Sequence, residues 1–421
     1  MEVIAYGTMI LTVGAVLSLP RTGLWWRIGP AGIAAQGVIV FVFTGIVSPA
    51  DLVGSFDVLW RPLIAILSIM MTTNMALRLG ILDHVAKFLA PRSGQSVQHL
   101  FRSVFVFSAA TSAVLNNDAA VLLLTPLIVN LIRRCYPQRP DLLVPFAFAV
   151  FSAAGVAPIV ISNPMNLIVA EYAGIGFNDY AIRMIPISVA NWLSTYIVLR
   201  IIFNKRINTP DHAVSIFPMG QLSFPAKLFI GLMVLALGAY PILSYANGPV
   251  WAVAAVSAML GMWLCWRHGV ASPRGLTTSL SWEILIFLFC VFVLAIGLRN
   301  VGLVDRLEIF YSSINNSENK IVAIGICSAI GSALLNNHPM AILNSLVISR
   351  IPDNSHEFIF SALIGGDLGP RLLPAGSLAG LLWLSVLKHN DVYVSTSRFV
   401  MIGLPITIPG LALSILILIL T

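Results

Sequence analysis

Charge is what this chain has least of. Only 10% of its 421 residues are Asp, Glu, Lys or Arg, against 58% hydrophobic residues. A soluble domain of that size could not cover its surface with so few charges. Cysteine is scarce too. Cys135, Cys265, Cys290 and Cys327 show neither metal-ligand spacing nor a disulfide framework, and three of them fall in apolar stretches where a small buried hydrophobe is the ordinary reading. Gly-x-x-x-x-Gly-Lys, His-Glu-x-x-His and Gly-x-Ser-x-Gly are all missing. Any use of ATP therefore needs another chain, and nothing marks an intramembrane enzyme. The chain reads as a transporter, not an enzyme, with no cofactor and no fixed metal.

What is present is apolar sequence in membrane-sized pieces. Mean hydropathy is +0.92, and stretches of roughly 17–20 apolar residues recur from end to end, the length a bilayer demands. The first, Val3–Leu19, is read as a span and not a signal peptide, because Glu2 replaces the usual basic start. Further spans are expected at 29–48, 58–79, 183–203, 225–243, 250–267, 283–299 and 399–420, with interrupted ones at 143–172 and 358–388. Gly 31 and Pro 24 are high for helices, but breaks are tolerated where membrane helices line cavities.

The chain is written twice. Ser112-Ala113-Val114-Leu115-Asn116-Asn117 returns as Ser332-Ala333-Leu334-Leu335-Asn336-Asn337, 220 residues on (336 − 116). The run from Leu77 to Asp83 returns from Leu298 to Asp305 with one insertion, and Trp60 and Trp282 open equivalent spans. Ordered matches at one offset mark a duplicated unit. Each Asn-Asn sits between two short apolar arms, 99–115 with 119–132 and 321–335 with 339–349, right for a re-entrant hairpin.

Five full spans per half is an odd number, so the second half enters the membrane inverted. With the N-terminus outside, the inner loops collect Arg21, Arg27, Lys87, Arg92, Arg133, Arg134, Arg139, Lys205 and Arg206, as the positive-inside rule requires. The expected fold is an all-α membrane protein: an inverted-repeat transporter with about 10 transmembrane helices, two re-entrant hairpins and two broken helices. Residues 1–203 form the N-terminal repeat (hairpin 99–132, broken helix 143–172). Residues 204–224 form a cytoplasmic linker, and 225–421 the inverted C-terminal repeat (hairpin 321–349, broken helix 358–388).

Polar residues this sparse in an apolar chain mark the site. Asn116, Asn117, Asn336 and Asn337 stand at the hairpin tips. Amides there replace the hydration of a polar solute without placing a full charge in the membrane. Ser162, Asn163 and Asn166 interrupt one broken span, and Gly376 and Ser377 the other; half-helix ends with free amides and carbonyls are solute sites. Asp118 and His338 occupy equivalent positions and are the candidates for proton coupling. Asp367 and Arg371, four apart, are expected on one helix face as an ion pair that is structural or coupling.

These runs, together with Thr125-Pro126, Gly366-Asp367-Leu368-Gly369-Pro370 and Pro374-Ala375-Gly376-Ser377-Leu378-Ala379 with Leu382-Trp383-Leu384, resemble the arsenite permease family over nearly the whole chain. That resemblance implies a prokaryotic inner-membrane protein of arsenic resistance. It implies efflux of arsenite and antimonite by proton antiport, with a soluble ATPase subunit as protein partner; assembly with further copies of the chain is a separate expectation that the resemblance does not decide. His338 and Arg371 depart from the family pattern, where Met and Lys are expected. A carrier of the same fold for another inorganic anion, a dicarboxylate or sodium ion remains the alternative, as does the membrane subunit of an ATP-driven pump.

Overall fold

The computed structural model describes residues 1–18, 29–82, 84, 96–209, 221–246, 248–278, 280, 282–351 and 355–421. Arg21, Arg27, Asp83, Lys87, Arg92 and the centre of the expected linker, with Pro210 and Asp211, lie outside them. The described residues are helical throughout, without strands. The N-terminal half contributes α1 (Glu2–Ser18), α2 (Gly29–Phe43), α3 (Pro49–Arg78), α4 (Val97–Val114), α5 (Asn117–Cys135), α6 (Leu143–Ala153), α7 (Pro164–Tyr172) and α8 (Phe177–Ile202). The C-terminal half contributes α9 (Phe224–Tyr245), α10 (Val250–Arg267), α11 (Trp282–Asn300), α12 (Leu303–Ser312), α13 (Ser317–Leu335), α14 (Asn337–Ile348), α15 (His356–Leu368), α16 (Leu378–His389) and α17 (Thr396–Leu420). Six of these, α3, α8, α9, α11, α13 and α17, are long and apolar enough to cross a bilayer. Exposed Ile39, Phe43, Ile182, Leu235 and Met401 give the bundle the greasy exterior that lipid requires.

The packing exchanges the two halves. α2 lies against α11 while α3 lies against α10, and α8 pairs with α17. Each hairpin also grips the far half of the other repeat's broken helix, α5 against α16 and α14 against α7. This reciprocity is what a pseudo-two-fold between repeats produces. The detail differs between repeats. Phe105 packs on Tyr196 with ring centroids 5.4 Å apart, whereas at the equivalent place Gly325 leaves just enough room for the Ile415 side chain.

Two boundaries correct the sequence reading. α3 begins at Pro49, so Trp60 is well inside the helix and does not open it. The cause is a capping box: Ser48 Oγ accepts from Asp51 N at 3.2 Å while Asp51 Oδ2 accepts from Ser48 N at 2.9 Å. The hairpin arms are also longer than expected, 18 and 19 residues in the first and 19 and 12 in the second. The turn itself is where the sequence puts it, at Leu115-Asn116 and at Asn336.

At the end of the first hairpin, Arg139 donates to both Asp141 oxygens at 3.0 and 3.1 Å. Those hydrogen bonds hold the Asp141 carboxyl below its ordinary range and tie down the 136–142 turn, where Arg139 also donates to the Arg206 carbonyl.

Candidate functional site

Four helices begin at the centre of the bundle, and each beginning carries a side-chain cap. Asn116 Oδ1 accepts from Asp118 N (2.8 Å) and Ala119 N (3.3 Å) at the start of α5. Asn336 Oδ1 does the same for His338 N (3.3 Å) at the start of α14. Asn163 Oδ1 caps α7 through Met165 N (3.1 Å), with Pro164 at the first helical position. Ser377 Oγ caps α16 through Gly380 N (3.0 Å). Asn, Ser and Pro at these positions are what helix starts select. Asn336 pays for its place with a φ of 84° and a ψ of 147°, a strained conformation that glycine adopts far more readily than any other residue.

The four starts meet. One cavity of about 30 Å³ is lined by Asn117, Asp118, Asn163, Asn337, Asp367, Arg371 and Ser377, closed on its apolar side by Val121, Phe151, Ala154, Pro370 and Ala379. Both hairpin tips and both helix breaks thus share a single pocket. Each helix start brings the positive end of its dipole close to that space. Among the described residues the Asp118 carboxylate has no hydrogen-bond partner, and Asn337 Oδ1 is buried without one.

The first break keeps its backbone satisfied by borrowing side chains. Trp192 Nε1 donates to Ala153 O (2.9 Å), Asn117 Nδ2 to Gly155 O (3.3 Å) and Tyr180 Oη to Ala157 O (3.1 Å). Arg371 donates to Ser152 O. Asp367 accepts from Ala157 N (2.9 Å), Asn163 Nδ2 (2.7 Å) and Asn166 Nδ2 (3.0 Å). An irregular segment at this depth survives only when its polar groups are paired in this way. The second break is held by close approach instead. A side chain at Gly365 would strike the Gly325 carbonyl, one at Gly369 the Ala329 carbonyl, and one at Gly376 the Pro370 backbone, so α13 and α15 touch through small residues.

Asp367 and Arg371 do not form the expected direct ion pair: no contact within 4.0 Å joins them. α15 ends at Leu368 and Gly369–Arg371 is a 3-10 turn, so the α-helical four-residue alignment is lost. Arg371 turns instead to α8, donating to Thr195 Oγ1 (3.1 Å) and Asn191 Oδ1 (3.4 Å). Gly155 makes room for its guanidinium.

Other site candidates fall outside the cavity. Ser162 Oγ donates to Ala113 O at 2.6 Å, Asn166 joins Asp367 to Tyr180 Oη (2.7 Å), and Asn116, Asn336 and Gly376 shape the turns. His338 is buried with Nδ1 3.3 Å from Asn336 Oδ1 and its ring edge-on to Phe287; it does not line the cavity beside Asp118. None of the four cysteines lines it either.

This is the architecture of a solute carrier, and comparison with known proteins identifies its kind. The family model described as "Arsenical pump membrane protein" matches residues 8–420. The chain belongs to the arsenical pump membrane protein family. It is similar to the "Arsenical pump membrane protein" of Escherichia coli (strain K12), at 26% identity over 97% of this chain and 96% of the relative. It is also similar to a "Putative arsenical pump membrane protein" of Bacillus subtilis (strain 168), at 26% identity over 91% and 94%. Among solved structures it shares the fold of the Alcanivorax borkumensis YdaH transporter, with a TM-score of 0.61 at 16% identity, covering 87% of this chain and 86% of that one. As a member of this family the chain is a multi-pass bacterial membrane protein.

Sequence reasoning missed Tyr180, Asn191 and Thr195, the α8 groups that anchor the first break and Arg371. All three lie in α8, a helix of membrane-spanning length, and polar residues within such a helix were the signal that could have found them.

Proposed function

We propose that the chain exports trivalent arsenic, as arsenite, from the cytoplasm in exchange for protons, and carries antimonite by the same chemistry. The single observation behind this reading is the cavity that Asn117, Asn163, Asn337 and Ser377 line together. The relatives' names supply the solute class. Arsenous acid is uncharged near neutral pH and presents hydroxyls. Amides and a serine hydroxyl donate to its oxygens and accept from its O–H groups, and helix N-termini offer further donors. Thiolates would bind the metalloid tightly, whereas hydrogen bonds let a carrier release it.

Asp118 is the proton carrier in this reading. It lines the cavity, and its carboxylate has no protein hydrogen bond among the described residues. It releases its proton inward and regains one from outside, while the solute crosses the other way between two orientations of the inverted repeats. The experiment is arsenite flux in sealed vesicles holding only this protein, with imposed proton or sodium gradients and no ATP. Uphill movement driven by the proton gradient supports the reading. No movement until a soluble ATPase is added points to an ATP-driven pump.

A second reading has one observation in its favour. Four helix N-termini and Arg371 surround the cavity, a setting that favours an inorganic anion. An anion would carry charge across the membrane. Vesicle flux that responds to membrane potential and is displaced by an oxyanion, with arsenite ineffective, would select it.

A further inference from the structure

The first hairpin tip and the first helix break are a wall between two cavities. On one side lies the amide-lined pocket. On the other is a second cavity, also about 30 Å³, lined by Ser68 and Thr72 of α3, Tyr240 of α9, Ser257 of α10, and by Leu115 and Ile161. Leu115 immediately precedes Asn116-Asn117, and Ile161 immediately precedes Ser162-Asn163. The wall is thus the back of the segments that carry the amide site.

The second cavity is mostly apolar, walled by Ile69, Met233, Ala236, Leu237 and Ala254, and four hydroxyls interrupt that lining. Ser68 Oγ donates to Ile64 O (2.7 Å) and Thr72 Oγ1 to Ile69 O (2.8 Å), which leaves their lone pairs as acceptors. Tyr240 and Ser257 are 4% and 7% exposed, and neither hydroxyl has a hydrogen-bond partner among the described residues. The Tyr240 ring is fixed by stacking on Phe177, centroids 5.3 Å apart. A buried hydroxyl without a protein partner costs free energy unless something polar meets it. Here two such donors share the lining of one small cavity with two acceptors.

The geometry points to a second solute station. The hydroxyl cavity takes the same small, uncharged, hydroxyl-bearing solute as it passes to or from the amide pocket, and the Leu115–Ile161 wall separates the two. This rests on the reading of the chain as an arsenite carrier. The hydroxyls accept the solute's O–H protons and donate to its oxygens, so the solute passes between α3, α9 and α10 without bare dehydration. No charged side chain lines the cavity, as an uncharged passenger requires.

The test uses vesicle flux of arsenite under an imposed proton gradient. Wild type is compared with the Tyr240→Phe/Ser257→Ala double variant, with Ser257→Leu as a plug, and with Val256→Leu, at a neighbouring position that is 49% exposed, as the control. The double variant is expected to raise KM about five- to tenfold, the worth of one or two lost hydrogen bonds, with an unchanged unfolding temperature. Ser257→Leu is expected to lower flux while arsenite binding at the amide pocket survives; Val256→Leu is expected to match wild type.

A second arm avoids asking the plug to fold. Ser257→Cys, in a chain whose four native cysteines are replaced, is labelled after assembly with a small water-borne methanethiosulfonate. Labelling with loss of flux supports the station; full flux after complete labelling, or no labelling at all, overturns it, as does Ser257→Leu at wild-type speed. Wild-type vesicles that carry no arsenite overturn the arsenite reading and this inference together. Wild-type flux with indifferent variants overturns this inference alone.

Discussion

Asn163 Nδ2 donates to Asp367 Oδ1 at 2.7 Å, joining two residues 204 positions apart. One belongs to the first helix break, the other to the last turn of α15 before the second. The bond joins the two halves of the chain and makes the two interruptions one structure. Asp367 is 6% exposed and holds three donors at once, so it works as a cross-brace as much as a cavity wall.

Asp367→Asn should therefore weaken the fold as well as the site. The new amide turns N–H groups toward donors that need acceptors, and each unmet donor costs about 1–3 kcal/mol. A lowered unfolding temperature of the detergent-purified protein, alongside lost flux, is the expected outcome; wild-type stability would mean the brace is dispensable.

Arg371→Lys should be far from silent. One ammonium cannot reach Thr195, Asn191 and the Ser152 carbonyl as the guanidinium fork does. A loss of about 1–3 kcal/mol is expected from denaturation of the purified protein, and Asn191→Ala in the Lys background should add little further.

The two asparagines of the second tip should separate by phenotype. Asn336 caps α14 and holds φ at 84°, so Asn336→Ala loses a cap worth about 1 kcal/mol and strains the turn. Asn336→Gly should relieve the strain and recover part of the stability. Asn337 Oδ1 has no partner to lose; Asn337→Ala should leave unfolding unchanged and abolish flux. Thermal denaturation and vesicle flux on the same preparations decide it.

Asp118→Asn should keep the fold and lose the coupling. Downhill arsenite movement is expected to persist while uphill movement driven by a pH gradient disappears. Uphill export with unchanged pH dependence would remove Asp118 from the mechanism.

Replacing all four cysteines should leave flux intact, because none lines the cavity. Loss of activity in that variant, with normal membrane insertion, would favour thiol chemistry over hydrogen bonding.

Much of this was legible in the sequence because the features came in pairs. Asn116-Asn117 and Asn336-Asn337 marked the tips, and Ser162-Asn163 and Gly376-Ser377 the breaks, since a duplicated polar pair in an apolar chain stands out against its surroundings. Hidden were the relations that depend on where a helix stops. Asp367 and Arg371 look like a helical ion pair until α15 ends at Leu368, after which each finds its partners on another segment. Ser162 and Asn166 look like ligands, but Ser162 is engaged by the Ala113 carbonyl of α4 and Asn166 by Tyr180 and Asp367. The α8 anchors Tyr180, Asn191 and Thr195 recur in no matched motif, so the repeat could not point to them.

The most direct measurement is equilibrium binding of arsenite to the purified protein and to Asn117→Ala, Asn337→Ala and the double variant, each checked for an unchanged unfolding temperature. If the two tips hold one solute, each single change weakens binding strongly and the double variant is little worse than either. Wild-type affinity in both single variants would contradict a site shared between the repeats.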